Sequence, residues 1–182
     1  YVNSSVPVDV ESFQWDAVLG GLAWVCGAGA MLLYALFSYL YIYLKVRQSM
    51  SLRENIYLCD RIDTPFIFGI IRPKIYLPSL MYEEDRAFVL AHENAHLKRK
   101  DYLWKPLGFL ILSVYWFNPV IWLSYILLCR DIELACDEKV IKEMGAEMKK
   151  PYSMALINCS VPKRMITACP VAFGETGVKK RI

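Results

Sequence analysis

Apolar positions fall into blocks along this chain, and the blocks predict its elements. Residues 17–44 carry no charged side chain; Asp16 closes one end and Lys45 the other. As a helix rising 1.5 Å per residue, such a run exceeds the ~30 Å hydrocarbon layer of a bilayer. Gly20, Gly21, Gly27 and Gly29 offer a small-residue face to a neighbouring helix, and Tyr34, Tyr39, Tyr41 and Tyr43 crowd its second half as an interfacial belt would. The run is too long for a signal peptide and no basic segment precedes it. The pattern predicts a transmembrane helix. Residues 1–16 contain Asp9, Glu11 and Asp16 but no Lys or Arg, whereas Lys45, Arg47 and Arg53 follow the run. Basic flanks stay in the cytoplasm, so 1–16 is expected outside and residues 45–182 inside.

A second uncharged run covers 106–129, interrupted by Asn118-Pro119. Proline breaks a helix interior, so two helices are expected, about 103–117 and 119–144, meeting at a bend. Between the runs, 55–62, 65–71 and 74–77 are rich in Ile, Phe and Tyr and are bounded by Asp63-Thr64-Pro65, Arg72-Pro73 and Pro78-Ser79. Short strands fit them. Residues 82–100 read as a helix, opened by Glu83, Glu84 and Asp85 and closed by Lys98, Arg99 and Lys100, which suits the helix dipole at both ends. Residues 145–182 give only weak helical signals, and no internal repeat is present.

Hydrophobic residues make up 56% of the 182 positions. Counted on the usual basis this is roughly 54%, against ~45–50% for soluble proteins. That excludes a disordered tail or a collagen-like repeat. A net charge of +3 is too mild for nucleic-acid binding. Cys26, Cys59, Cys129, Cys136, Cys159 and Cys169 form no C-x-x-C pair and read as reduced, small hydrophobes. The start at Tyr1 and the end after Lys179-Lys180-Arg181 read as a stretch of a longer protein.

The helix at 82–100 contains His92-Glu93-Asn94-Ala95-His96. Histidines at i and i+4 share a face and can grip one metal ion, and the glutamate between them can take a proton from a water. The chain has only two histidines. Chance would give this arrangement about once in 1,700 chains of this composition. A catalytic zinc site needs a third protein ligand. The best candidate is Glu133, with Asp131, Cys136 and Glu138 as competitors. Asp137 lies one turn beyond Glu133 and is placed to orient a histidine through its other nitrogen. The two histidines precede the run at 106–129 and Glu133 follows it. One ion cannot be reached from both sides of a membrane, so that run must enter and return on one side or lie within the fold. Arg130 or one of several tyrosines would supply a second oxyanion donor. An exposed strand within 55–77 would accept an extended substrate.

These residues resemble the membrane zinc peptidases of the BlaR/MecR type, the β-lactam-sensing antirepressors. The match runs from Thr64-Pro65-Phe66-Ile67-Phe68-Gly69 and Arg72-Pro73-Lys74-Ile75-Tyr76-Leu77-Pro78 to His92-Glu93-Asn94-Ala95-His96 with Lys98-Arg99-Lys100-Asp101. It continues through Trp116-Phe117-Asn118-Pro119 and Arg130-Asp131-Ile132-Glu133-Leu134-Ala135-Cys136-Asp137. The resemblance implies a gluzincin-like Zn2+ site with His92, His96 and Glu133 as ligands, Glu93 as catalytic base and Asp137 in support. The expected fold is an α+β membrane protein. It combines a mainly helical zincin-like unit, a small β-sheet, one transmembrane helix at 17–44 and a broken hydrophobic hairpin, membrane-associated over 103–129. The implied function is a cell-membrane zinc endopeptidase, multi-pass in the full-length protein, with its active site facing the cytoplasm. It would cleave a cytoplasmic repressor-like protein or its own chain. Lipid is an expected partner, direct nucleic-acid contact is not, and a homo-oligomer is admissible. The rival expectation is a non-catalytic signalling module whose metal is structural.

Overall fold

The computed structural model describes residues 10–53, 55–160 and 173–174, with side chains from Trp15 to Cys159. The expected outer segment lies outside these residues over 1–9, as do Cys169 and the basic run 179–181.

The first apolar block forms α1 (Val10–Val46). Its stretch Trp15–Val46 is long and apolar enough to cross a membrane. Trp15, Leu19, Leu22, Leu33, Phe37 and Tyr41 are exposed along it. Only its last turns enter the core, where Ile42 and Val46 pack with Cys59, Ile62, Phe66, Phe68 and Tyr76, and Tyr39 stacks on Phe68.

A mixed sheet follows: β1 (Met50–Arg53), β2 (Ile56–Cys59), β3 (Phe66–Phe68) and β4 (Lys74–Pro78), with β5 (Phe173–Gly174) on its far edge. The order is β1-β2-β4-β3-β5. β2 and β4 run parallel; the other neighbours are antiparallel. Both faces are covered, which explains why β3 and β4 read as unbroken apolar runs rather than alternating ones. Ile67, Ile75 and Leu77 face the helices, whereas Phe66, Phe68 and Tyr76 face the end of α1. β3 stops at Phe68, short of the expected 71, because Gly69 turns the chain at φ +111, where a Cβ would press on the Arg72 carbonyl.

Four helices complete the unit: α2 (Glu83–Arg99), α3 (Asp101–Val114), α4 (Pro119–Met144) and α5 (Lys149–Ser160). The second apolar run divides where the sequence places the break. The Asn118 side chain accepts from Val120 N–H at 2.9 Å and Pro119 takes the first helical position, so this pair is an N-terminal signal for α4. α3 and α4 pack on each other, with Phe109 edge-on to Tyr125. α5 was not expected. Its Tyr152, Ala155 and Leu156 are buried at helical spacing and join Val89, Cys136 and Val140 in the main core.

Candidate metal centre

Val89, His92, Glu93 and His96 form the buried stripe of α2, at the i, i+3, i+4, i+7 spacing of an inward helical face. α2 ends at Lys100, whose φ of 58 is left-handed although it is not glycine. That conformation costs about 1–2 kcal/mol. Here it redirects the chain into α3 so sharply that Asp101 returns onto His96.

The two Nε2 atoms of His92 and His96 lie 3.1 Å apart, and Glu133 Oε2 sits 3.7 Å from each. Donors at about 2.0–2.1 Å from a tetrahedral zinc are separated by about 3.3 Å, so this trio matches the spacing such an ion requires. The outer nitrogens are also held. Tyr152 donates its single hydroxyl hydrogen to Asp137 Oδ1 at 2.8 Å, so at 2.7 Å it accepts from His92 Nδ1–H. Asp137 Oδ1 is itself 3.2 Å from that nitrogen. His96 Nδ1 donates to Asp101 Oδ2 at 2.8 Å, and Arg99 Nε braces the same carboxylate at 3.1 Å. Both bonds fix the tautomer that leaves the Nε2 lone pair free for a metal. The remaining oxygen of Glu133, Oε1, accepts from Lys105 Nζ at 2.7 Å.

Burial opposes charge on both histidines. Hydrogen bonds to Asp137, Cys136 and Glu133 outweigh burial for His92, as do those to Asp101, Cys136 and Glu133 for His96, and both pKa values rise well above 6.5. Burial likewise raises Glu133, but its two histidine bonds and Lys105 hold it well below 4.5. Glu93 behaves differently. It is 2% exposed and its Oε2 has no hydrogen-bond partner. Burial raises its pKa, and the charges of His92 and His96 pull it only part of the way back. A buried carboxyl with an orphaned oxygen beside a metal-spaced donor set is what a proton acceptor for an attacking water requires.

The structure thus brings His92, Glu93, His96, Glu133 and Asp137 together. Asp131, Glu138 and Arg130 are exposed on α4. Cys136 is buried and also close. With His92 and His96 it forms a group whose donor atoms lie within 4.8 Å of one another. Its thiol donates to the His92 carbonyl at 3.3 Å. Sequence reasoning missed Asp101, Lys105 and Tyr152. Lys105 carried a signal, being the one charge between Asp101 and Arg130.

Two histidines and a carboxylate on packed helices, backed by carboxylates and a phenol, define a candidate metal centre of the peptidase kind. Residues 2–182 match the sequence family described as BlaR1 peptidase M56, and the chain belongs to that family. Membership implies a metallopeptidase and suggests a membrane role. The chain is similar to the methicillin resistance mecR1 protein of Staphylococcus aureus, with 28% identity over 108 residues, 57% of this chain and 18% of that protein. It is also similar to the regulatory protein BlaR1 of Bacillus licheniformis, with 28% identity over 187 residues, 87% of this chain and 31% of that protein. The chain therefore spans less than a third of the length of these relatives.

Proposed function

We propose that this chain is the catalytic unit of an integral-membrane zinc endopeptidase of zincin-like fold that cuts a cytoplasmic protein, a transcriptional repressor or its own chain. One observation carries the reading: the Nε2 pair and Glu133 Oε2 converge at metal spacing beside the buried, unpartnered oxygen of Glu93. His92, His96 and Glu133 would hold the ion. When bound, zinc supplies Lewis acidity toward a water and a peptide carbonyl. Asp137 with Tyr152, and Asp101 with Arg99, keep the two imidazoles oriented. Glu93 accepts a proton from the attacking water and delivers it to the departing amine. The strands within 55–77 are not free edges: β1 covers β2 and the chain's own Phe173–Gly174 pairs on β3, so an extended substrate adding to β3 would take the place of that segment.

Residues 17–44 span the bilayer in this reading, 1–16 lie outside and 45–182 face the cytoplasm, with 103–129 dipping into the membrane and returning. The outward side chains of this hairpin support it: Leu107, Leu110, Ile111, Leu123, Ile126 and Leu127 are exposed. Hydrocarbon also demands that the bend's carbonyls be satisfied. At the bend, Trp24 Nε1 donates to Val114 O at 2.8 Å and Trp122 Nε1 to Trp116 O at 2.7 Å, while Trp116 Nε1 donates back to Trp24 O of α1 at 3.2 Å. At about 21 Å long, α3 is too short to cross ~30 Å, as a returning element should be.

The grouping of Cys136 with the histidines favours a second reading, a closed structural site in a signalling module. The buried Glu93 counts against it, since a structural site has no use for a buried carboxyl with an unpartnered oxygen. The deciding experiment compares full-length wild type with Glu93→Ala for zinc content and for cleavage of a co-expressed repressor and of the chain itself. The peptidase reading expects zinc in both and cleavage only in wild type. Undiminished cleavage by Glu93→Ala contradicts it.

A further inference from the structure

The two oxygens of Glu133 have different work. Oε2 lies 3.7 Å from both histidine Nε2 atoms, whereas Oε1 takes a 2.7 Å bond from Lys105 Nζ. Lys105 is 8% exposed and stands at the head of the apolar part of α3, followed by Pro106. Burying an ammonium with a carboxylate costs several kcal/mol per ion before their attraction is counted, and an apolar pair of the same volume is often as stable. Stability alone therefore does not account for the pair. Coordination chemistry does. A carboxylate can bind a cation through one oxygen or chelate it through both. A catalytic zinc site must keep one position open for water and substrate, and a chelating Glu133 would fill it.

We propose that Lys105 is a positioning residue that holds Oε1 of Glu133 and so confines this carboxylate to one-oxygen ligation through Oε2. This rests on the zinc-peptidase reading and adds to it the feature that keeps the centre open. The helix that supplies Lys105 also supplies Asp101 to His96. One helix, α3, thus sets two of the three donors from outside. The Trp24 indole is bonded to its far end, at Val114 O.

The test uses the full-length protein in detergent, loaded with cobalt(II), whose visible bands distinguish four- from five-coordination. Wild type is expected to give intense four-coordinate bands. Lys105→Met is expected to retain one cobalt per chain but show the weaker bands of five-coordination. Its kcat should fall about 10–100-fold, the usual effect of losing an outer partner of a ligand, with KM within about threefold of wild type. Lys105→Arg, which restores a cationic donor, should return the spectrum to four-coordination. A folded, cobalt-loaded Lys105→Met with the wild-type spectrum overturns the proposal. Should that variant not fold, Lys105→Ala, which also removes the donor, should show the same shift. An unshifted spectrum in Lys105→Ala overturns the proposal equally. Failure of the underlying reading looks different: wild type takes up no cobalt, or His92→Ala takes up as much as wild type.

Discussion

Replacing Tyr152 by phenylalanine removes one oxygen and leaves the ring that packs in the core. That oxygen lies 2.7 Å from His92 Nδ1 and 2.8 Å from Asp137 Oδ1, on a residue 2% exposed. Burial, with the Asp137 carboxylate beside it, raises the phenol's pKa, so it remains a donor throughout the accessible pH range. A hydrogen bond to a charged group is worth ~1.5–3 kcal/mol. Two features place this one at the lower end. Asp137 Oδ1 is already 3.2 Å from Nδ1 and can keep the tautomer, and its side chain is 18% exposed, so water can replace the lost donor. The expected loss is about 1.5 kcal/mol, or roughly tenfold in zinc affinity. Competition with a chelator of known affinity, on full-length Tyr152→Phe beside wild type, measures it. Affinity within twofold of wild type would show that the hydroxyl does not orient His92. A loss as large as that of His92→Ala would refute the claim that Tyr152 acts only through that ring.

Glu93→Gln should retain zinc while cleavage falls by about 10²–10⁴-fold, the usual contribution of a general base; joint loss of metal and activity would instead make Glu93 structural. The histidines couple stability and metal binding to pH with opposite signs. In the metal-free protein their raised pKa values contribute stability that is fully present below about 6.5 and is lost as pH rises through the raised values, by up to about 1.4 kcal/mol per pH unit for each group. Zinc needs neutral imidazoles, so its affinity should rise over that same window; denaturant titrations and zinc titrations between pH 6 and 9 check both slopes. Gly27→Leu should lower the thermal midpoint, because a Cβ there overlaps the Trp116 indole, and overpacking costs about 1–3 kcal/mol. Gly20→Leu, with nothing within 4 Å, should leave it unchanged.

Features whose physics is local were legible in the sequence. The uncharged run from 17 to 44 announced α1, the charged ends of α2 announced its helix, and Asn118-Pro119 announced the start of α4 within a run that hydropathy alone would count as one crossing. The His-Glu-x-x-His spacing placed two histidines on one face, and the search for a third donor pointed along α4, where the structure brings both Glu133 and Cys136 close to them. The unread parts depend on contacts between distant segments. β1 is exposed on all four residues, so burial gave it no pattern. α5 is short and carries Pro151 in its first turn; its spacing of Tyr152, Ala155, Leu156 and Cys159 was the available signal. Tyr152 reaches His92 across sixty positions, and Lys105 reaches Glu133 only because α3 and α4 fold back on each other. Asp101 is near His96 in sequence, but its role depends on the left-handed Lys100, a conformation that lysine rarely adopts and sequence does not flag.

X-ray absorption at the zinc edge of the purified full-length protein probes the central claim most directly. The account predicts a first shell of nitrogen and oxygen at about 2.0–2.1 Å, with imidazole scattering from two histidines and no sulfur. A sulfur neighbour at about 2.3 Å would make Cys136 the third ligand in place of Glu133, and absence of bound zinc would contradict the metal centre itself.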